Sequence, residues 1–253
     1  MVPVVQGTFK VLEELAKNGP LPLNEVTRRT KMSKSTVFRI LATLENLGYV
    51  LRDAARTYCV TTALSDLVTS EAITEILRRA AMPHMLELRD AFGETVNLGQ
   101  IVSDKVVYIE VVPSEYALRL HERAGASVYV HASGLGKAIL GFSDLDFARS
   151  VLGGRELPAV TANTITQLDK LLAELKRVRQ RGYAIDREET SPLATCVAAP
   201  ILGGEGHAIA AISISGPSSR FNPRKGAPVI ESLMRAGAAV SKQIRQRTRE
   251  SRL

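Results

Sequence analysis

The chain of 253 residues is 45% hydrophobic and 23% charged, with a net charge of +7, which suits one or two globular domains and excludes a wholly disordered chain. No run of about 18 apolar residues occurs, excluding a transmembrane helix. Cys59 and Cys196 are too few for a disulfide framework, so a reducing cytoplasm is expected.

The opening MVPVVQGTFKVLEEL spaces its apolar residues helically and lacks the basic-then-apolar layout of a secretory signal. Neither C-x-x-C nor H-E-x-x-H is present, so no metal cofactor is expected. Residues 1–62 hold nine Lys or Arg against five Asp or Glu, residues 219–253 hold nine against two, and the stretch between is net acidic. Only parts of the chain are therefore suited to a polyanion.

Gln6 to Lys17 puts Phe9, Val11, Leu12, Leu15 and Ala16 on an apolar stripe, ended by Asn18-Gly19-Pro20. A short helix is expected over Leu23 to Thr30. Lys31-Met32-Ser33 then has the length of the turn in a helix-turn-helix. Ser33 is placed as an N-cap with Thr36 at N3. The next helix, Lys34 to Asn46, carries Val37, Ile40, Leu41 and Leu44 on one face, and Lys34, Ser35, Thr36, Phe38 and Arg39 on the other. Gly48 ends it at C′. Tyr49–Leu51 and Thr57–Val60 read as strands around the polar stretch 52–56.

Three helices and a hairpin make a winged helix-turn-helix layout. Small hydroxyl and basic residues at a helix start are the types that reach phosphates and base edges in a major groove, and Arg52 and Arg56 at the hairpin tip can touch the flanking backbone. The candidate DNA contacts are Ser33, Lys34, Ser35, Thr36, Phe38, Arg39, Arg52 and Arg56. The bland alternative is a small helical domain with a solvated polar face.

Ala63 to Leu88 is again apolar-periodic, through Leu64, Leu67, Val68, Ile73, Ile76 and Leu77, with a break expected near Met82 because Pro83 follows. Its first part is expected to link domains and to pack against a second copy of the chain. From Glu94 onward, strands are expected at Thr95–Val102, Val106–Val112 and Leu118–Leu120, then helices at Ser133–Phe142, Asp144–Leu152 and Gln167–Arg181. Cys196–Leu202 and Ala208–Ser215, joined by Gly203-Gly204-Glu205-Gly206, read as a hairpin. A last helix, Ala227–Arg249, carries a basic tail whose cations suit the helix C-terminal dipole. The whole is α+β, with a mixed, largely antiparallel sheet and helices packed on it.

These fragments together resemble the IclR family of bacterial transcriptional regulators. The resemblance is carried by four blocks in order: Met32 to Arg39 with Leu44 to Val50; His131-Ala132-Ser133-Gly134-Leu135-Gly136-Lys137-Ala138; Gly182 to Glu189; and Cys196-Val197-Ala198-Ala199-Pro200 with Ala211 to Pro217. It implies a winged helix-turn-helix DNA-binding domain (1–62), a linker helix (63–82) and a GAF-like effector-binding domain (83–253). Assembly as homodimers or dimers of dimers on double-stranded operator DNA is implied too. Family members sense small metabolites, often carboxylates from carbon catabolism. The positions matching the effector pocket are Gly134, Leu135, Asp186, Cys196, Ser213 and Ser215, with Leu120 and Val128 as apolar lining. Ser191-Pro192-Leu193 stands where the family usually has a glycine-containing stretch.

The residues make chemical sense beside the resemblance. Ser213 and Ser215 alternate along a strand and share a face. Gly134 and Leu135 open a helix, where free N–H groups favour an anion. An acid could thus be held without a formal positive charge. A catalytic reading would cast Cys196, His131 and Asp186 as nucleophile, base and orienter, but the resemblance puts Cys196 inside the strand CVAAPIL, which suits an inert thiol. Gly134-Leu135-Gly136-Lys137 is no phosphate loop, since His131 and Ala138 break the pattern. The expected protein is a cytoplasmic repressor, not an enzyme, with no cofactor and no membrane partner, bound to operator DNA and a small effector. The alternatives are a ligand-independent DNA-binding protein and a cysteine-dependent hydrolase.

Overall fold

A computed structural model describes residues 2–61, 63–64, 71–153, 156–204, 206–222 and 227–250. The chain forms two compact units, Met1–Ile73 and Thr74–Leu253.

In the first unit, α1 (Pro3–Asn18) begins with Pro3 in the opening turn, where its missing N–H costs nothing. Next come β1 (Leu21–Pro22), α2 (Leu23–Thr30), α3 (Lys34–Asn46), β2 (Val50–Arg52) and β3 (Thr57–Val60). The strands form an antiparallel sheet in the order β1-β3-β2. Helices α2 and α3 have the bounds their apolar spacing predicts, and the Ser33 Oγ accepts the Thr36 N–H at 3.2 Å. Val11, Leu15, Val26, Val37, Ile40, Leu41, Leu44, Val50 and Tyr58 make one core. Phe9 lies outside it, 62% exposed, because two residues advance a helix by about 200° and set Phe9 opposite Val11. The two-residue β1 is too short to leave a periodic signal.

The second unit comprises α4 (Glu71–Phe92), β4 (Thr95–Val102), β5 (Lys105–Val112), β6 (Ser127–Tyr129), α5 (Gly134–Gly141), α6 (Leu145–Leu152), α7 (Leu168–Arg181), β7 (Ala184–Arg187), β8 (Ala194–Leu202), β9 (Ala208–Pro217) and α8 (Ala227–Glu250). Its six strands run in the order β6-β5-β4-β9-β8-β7, each pair antiparallel. Helices α5 and α7 share a core with Ala198 and Ala211 on one sheet face. Helix α8 packs on β8 and β9 from the other face, where a Cβ at Gly237 would lie 2.8 Å from the Pro200 carbonyl oxygen.

Two expectations fail here. Helix α4 runs through Pro83 without the break foreseen near Met82. An internal proline costs ~3 kcal/mol, but Leu77, Ala81 and Met85 on the same helix are fully buried, and each large side chain contributes about 1.5–3 kcal/mol. Leu118–Leu120 is not a strand but part of the irregular stretch 113–126, and the strand pairing with β5 is Ser127–Tyr129 instead. Leu67 and Val68 lie outside the described residues.

The Ser191-Pro192-Leu193 segment closes a four-residue turn in which the Ala194 N–H donates to the Ser191 carbonyl at 3.3 Å. Leu193 has φ 61° and is 73% exposed. Proline followed by a positive-φ residue is the pattern that normally takes glycine second. A left-handed leucine costs ~1–2 kcal/mol, while glycine costs about 0.5–1 in chain entropy. Leu193→Gly is therefore expected to stabilise the protein by up to ~1 kcal/mol, read as a higher urea midpoint. A lower midpoint would contradict the strain.

Candidate functional site

The outward face of α3 is set by its core face. With Val37, Ile40, Leu41 and Leu44 buried, Lys34, Ser35, Phe38 and Arg39 are exposed and Thr36 is half-buried. The Ser33 Oγ caps the helix and lies 2.8 Å from the Thr36 Oγ1 and 3.1 Å from the Ser35 Oγ. Ser33, Ser35 and Thr36 thus share the hydrogen bonds of the helix start, while Lys34, Phe38 and Arg39 project outward. In the hairpin the Asp53 carboxylate accepts the Thr57 N–H (2.7 Å) and hydroxyl (2.6 Å). This tight turn presents exposed Arg52 and Arg56, with the Arg52 guanidinium 5.5 Å from the Tyr58 ring centroid.

Charge pairing separates these cations from their neighbours. On α2, Glu25 takes both Arg28 (2.6 Å) and Arg29 (2.7 Å). Among the described residues, Lys34, Arg39, Arg52 and Arg56 enter no ion pair. Lys31, in the left-handed turn between α2 and α3, is a further exposed cation beside them. Its place in a turn that reads as a spacer hides this cation in the sequence.

In the second unit the eight positions Leu120, Val128, Gly134, Leu135, Asp186, Cys196, Ser213 and Ser215 surround a single cavity of about 300 Å³. Strand register brings them together. Thr95, Ser215, Cys196 and Asp186 line up across β4, β9, β8 and β7, and Asn97, Ser213 and Ala198 form the next row but one. Because side chains alternate, both rows face the same way. Helix α5 starts over them, and a Cβ at Gly134 would lie 2.9 Å from the Cys196 Sγ. Lys137, buried on α5, donates to the Ile185 carbonyl (2.7 Å) and the Glu189 Oε1 (2.5 Å), fixing the helix start to β7. Ser133 caps α5 by accepting the Gly136 N–H at 3.0 Å. The N–H groups of Gly134 and Leu135 are left for whatever lies beyond the helix start.

Further residues line the cavity beyond those eight, among them Asn97, Tyr108, His121, Glu122, Thr190 and Thr195. The Asn97 Nδ2 donates to the Ser215 Oγ at 3.0 Å. The Glu122 carboxylate accepts the Ser215 hydroxyl at 2.8 Å and the Tyr108 hydroxyl at 3.5 Å. The Asp186 Oδ1 accepts the Glu189 N–H at 2.7 Å. Burial pushes the Asp186 carboxyl up to about 6, against the lowering effect of nearby Lys137. Burial likewise raises Glu122, and it raises Tyr108 with help from the adjacent Glu122 charge.

The catalytic arrangement does not form. Burial, with Asp186 next to it, holds the Cys196 thiol well above its ordinary value. The His131 Nε2 lies 3.0 Å from the Pro158 carbonyl, and that residue is not on the cavity wall. Among the described residues no cluster of His, Cys, Asp or Glu could hold a metal, and no helix is long and apolar enough to cross a membrane.

Comparison with known proteins agrees with both units. Residues 4–54 match the IclR helix-turn-helix domain, and residues 71–242 match the bacterial transcriptional regulator IclR C-terminal domain. The HTH-type transcriptional regulator KdgR of Escherichia coli K12 is 34% identical over 96% of this chain and 93% of its own. The DNA-binding transcriptional repressor YiaJ of the same organism is 30% identical over 94% and 88%. Among solved structures, IclR of Thermotoga maritima superposes with a TM-score of 0.65 at 29% identity, covering 95% of this chain and 98% of that one. An IclR homologue from Microbacterium hydrocarbonoxydans, complexed with 4-hydroxybenzoate, shares the fold at a TM-score of 0.62 and 23% identity, covering 96% and 99%. These relatives are regulators rather than enzymes.

The raised Asp186 carboxyl has a measurable consequence. Its folded value near 6 exceeds its ordinary 3.8, so between these pH values the folded chain binds more protons than the unfolded one, and stability falls as pH rises through that window. Ionised Asp186 should cost on the order of 3 kcal/mol at pH 7 relative to pH 4. Asp186→Asn is expected to flatten the stability profile between pH 4 and 6, measured by urea unfolding at each pH. An unchanged slope would show that Asp186 is not the group responsible.

Proposed function

The chain belongs to the IclR family of bacterial transcriptional regulators, and on that premise we propose that it is a cytoplasmic repressor that releases or grips operator DNA according to a small acid held in its C-terminal cavity. The protein acts as a homodimer or a dimer of dimers, with residues 63–82 connecting the DNA-reading and effector-binding parts. Exposed apolar side chains on α1, Val5 and Phe9 among them, support contact with a second copy.

The carrying observation is the cavity. Eight positions scattered from Leu120 to Ser215 meet there around hydroxyls and the open end of α5. A carboxylate fits the two free N–H groups at that helix start. The name of YiaJ supports repression. The 4-hydroxybenzoate found with the Microbacterium homologue supports an acid as the ligand class. On the DNA side, Lys34, Arg39, Arg52 and Arg56 carry charge that no acidic neighbour neutralises, so binding should displace condensed counterions and weaken steeply with salt. The effector must favour one of two dimer states, since equal affinity for both would shift nothing.

Arg39→Ala is expected to weaken binding to a promoter fragment by ~10–100-fold, by fluorescence anisotropy at fixed salt, with thermal stability unchanged. Undiminished affinity would remove Arg39 from the interface. Ser213→Ala combined with Ser215→Ala should abolish the thermal shift produced by the effector while sparing DNA binding; for the unsubstituted protein that shift is ~2.7 kcal/mol at 100 times the dissociation constant. A variant that still responds would clear both serines.

A further inference from the structure

Glu122 reaches the cavity from outside the sheet. It belongs to the irregular stretch 113–126, where Leu118, Arg119, His121 and Arg123 are all exposed. Its carboxylate nevertheless lies against Ser215 and Tyr108. The Ser215 proton goes to Glu122, so the Ser215 oxygen accepts from the Asn97 Nδ2. That bond fixes which way the amide points and leaves the Asn97 Oδ1 buried without a partner, on a side chain that is 1% exposed. Asp186 brings a second carboxylate to the same wall. No lysine or arginine is among the described lining residues, the one basic side chain there, His121, meets the Arg123 guanidinium at its Nε2 (3.0 Å), and Lys137 is committed to Glu189 and Ile185.

Acceptors therefore prevail over donors on this part of the wall. A hydrocarbon chain or an aromatic ring pressed against it would strip water from two carboxylates and an amide oxygen and give nothing back. Alcohol groups would give a proton to each. A single ammonium could serve one carboxylate but not three separate acceptors.

We propose that Glu122 is a specificity-determining residue, which with Asp186 and the Asn97 carbonyl selects a small acid bearing several hydroxyl groups over one bearing none. The ligand's own carboxylate lies at the start of α5, and its hydroxyls donate toward Glu122. The inference rests on the cavity being the effector site and narrows the chemistry of what enters it.

D-Gluconate and hexanoate test this, since both are six-carbon acids and only the first carries hydroxyls. Calorimetric titration of the full-length protein should show gluconate binding at least about tenfold more tightly. Glu122→Leu, which removes the acceptor, should lose most of that ratio. Glu122→Gln, which keeps one carbonyl acceptor and is less prone to disturb folding, should retain part of it. Equal binding of the two acids, or a ratio unchanged in Glu122→Leu, overturns the proposal and leaves an acid-responsive regulator standing. Tighter binding of norleucine than of gluconate also overturns it, in favour of an ammonium. A protein that binds none of these, nor benzoate or pyruvate, overturns the effector reading as well.

Discussion

Lys137 is a fully buried ammonium on a helix with no exposed face, and among the described residues its ion-pair partner is Glu189. Breaking one side of such a pair typically costs about 3–5 kcal/mol, because the remaining charge cannot reach water. The pair therefore fixes a geometry. Lys137 also holds the Ile185 carbonyl, Glu189 receives the Arg187 N–H (3.2 Å), and the Glu189 N–H binds Asp186. One cation thus ties the start of α5, strand β7 and the turn after it into a single frame. The cavity wall is built on that frame, with Gly134 set so close to Cys196 that no side chain fits between them.

The two units treat charge in opposite ways. On α3 and the hairpin, cations stand exposed without an acidic partner among the described residues, the right condition for a long-range, salt-sensitive attraction to a polyanion. In the cavity, carboxylates and hydroxyls are buried with no lysine or arginine on the described wall, so discrimination there depends on which hydrogen bonds a guest completes.

Much of this was legible in the sequence where periodicity is strong. The core residues of α3 recur at helical spacing, and its bounds and cap follow from that. Strand β4 has the limits its composition implies. Asn97 was also legible, since Thr95, Asn97 and Gly99 alternate with Val96 and Leu98 and mark a polar face, but one polar residue in an apolar run was passed over. Glu122 was not legible. It lies in a stretch with no repeat, and only the folded path brings it against Ser215, ninety-three residues away in sequence. Pro83 misled because a local rule about a missing N–H was weighed without the buried side chains that outvote it. Strand β7 is four residues long and hides between a helix and a turn, where alternation has no room to show.

Cys196 bears on how such a sensor keeps working. A thiolate in the wall would be alkylated by an electrophilic metabolite such as an enone or an epoxide, and the cavity would then be blocked. Burial pushes this thiol well above its ordinary value, and a thiol is a poor nucleophile compared with its anion. A guest in this cavity is then held by hydrogen bonds and packing rather than by a covalent bond.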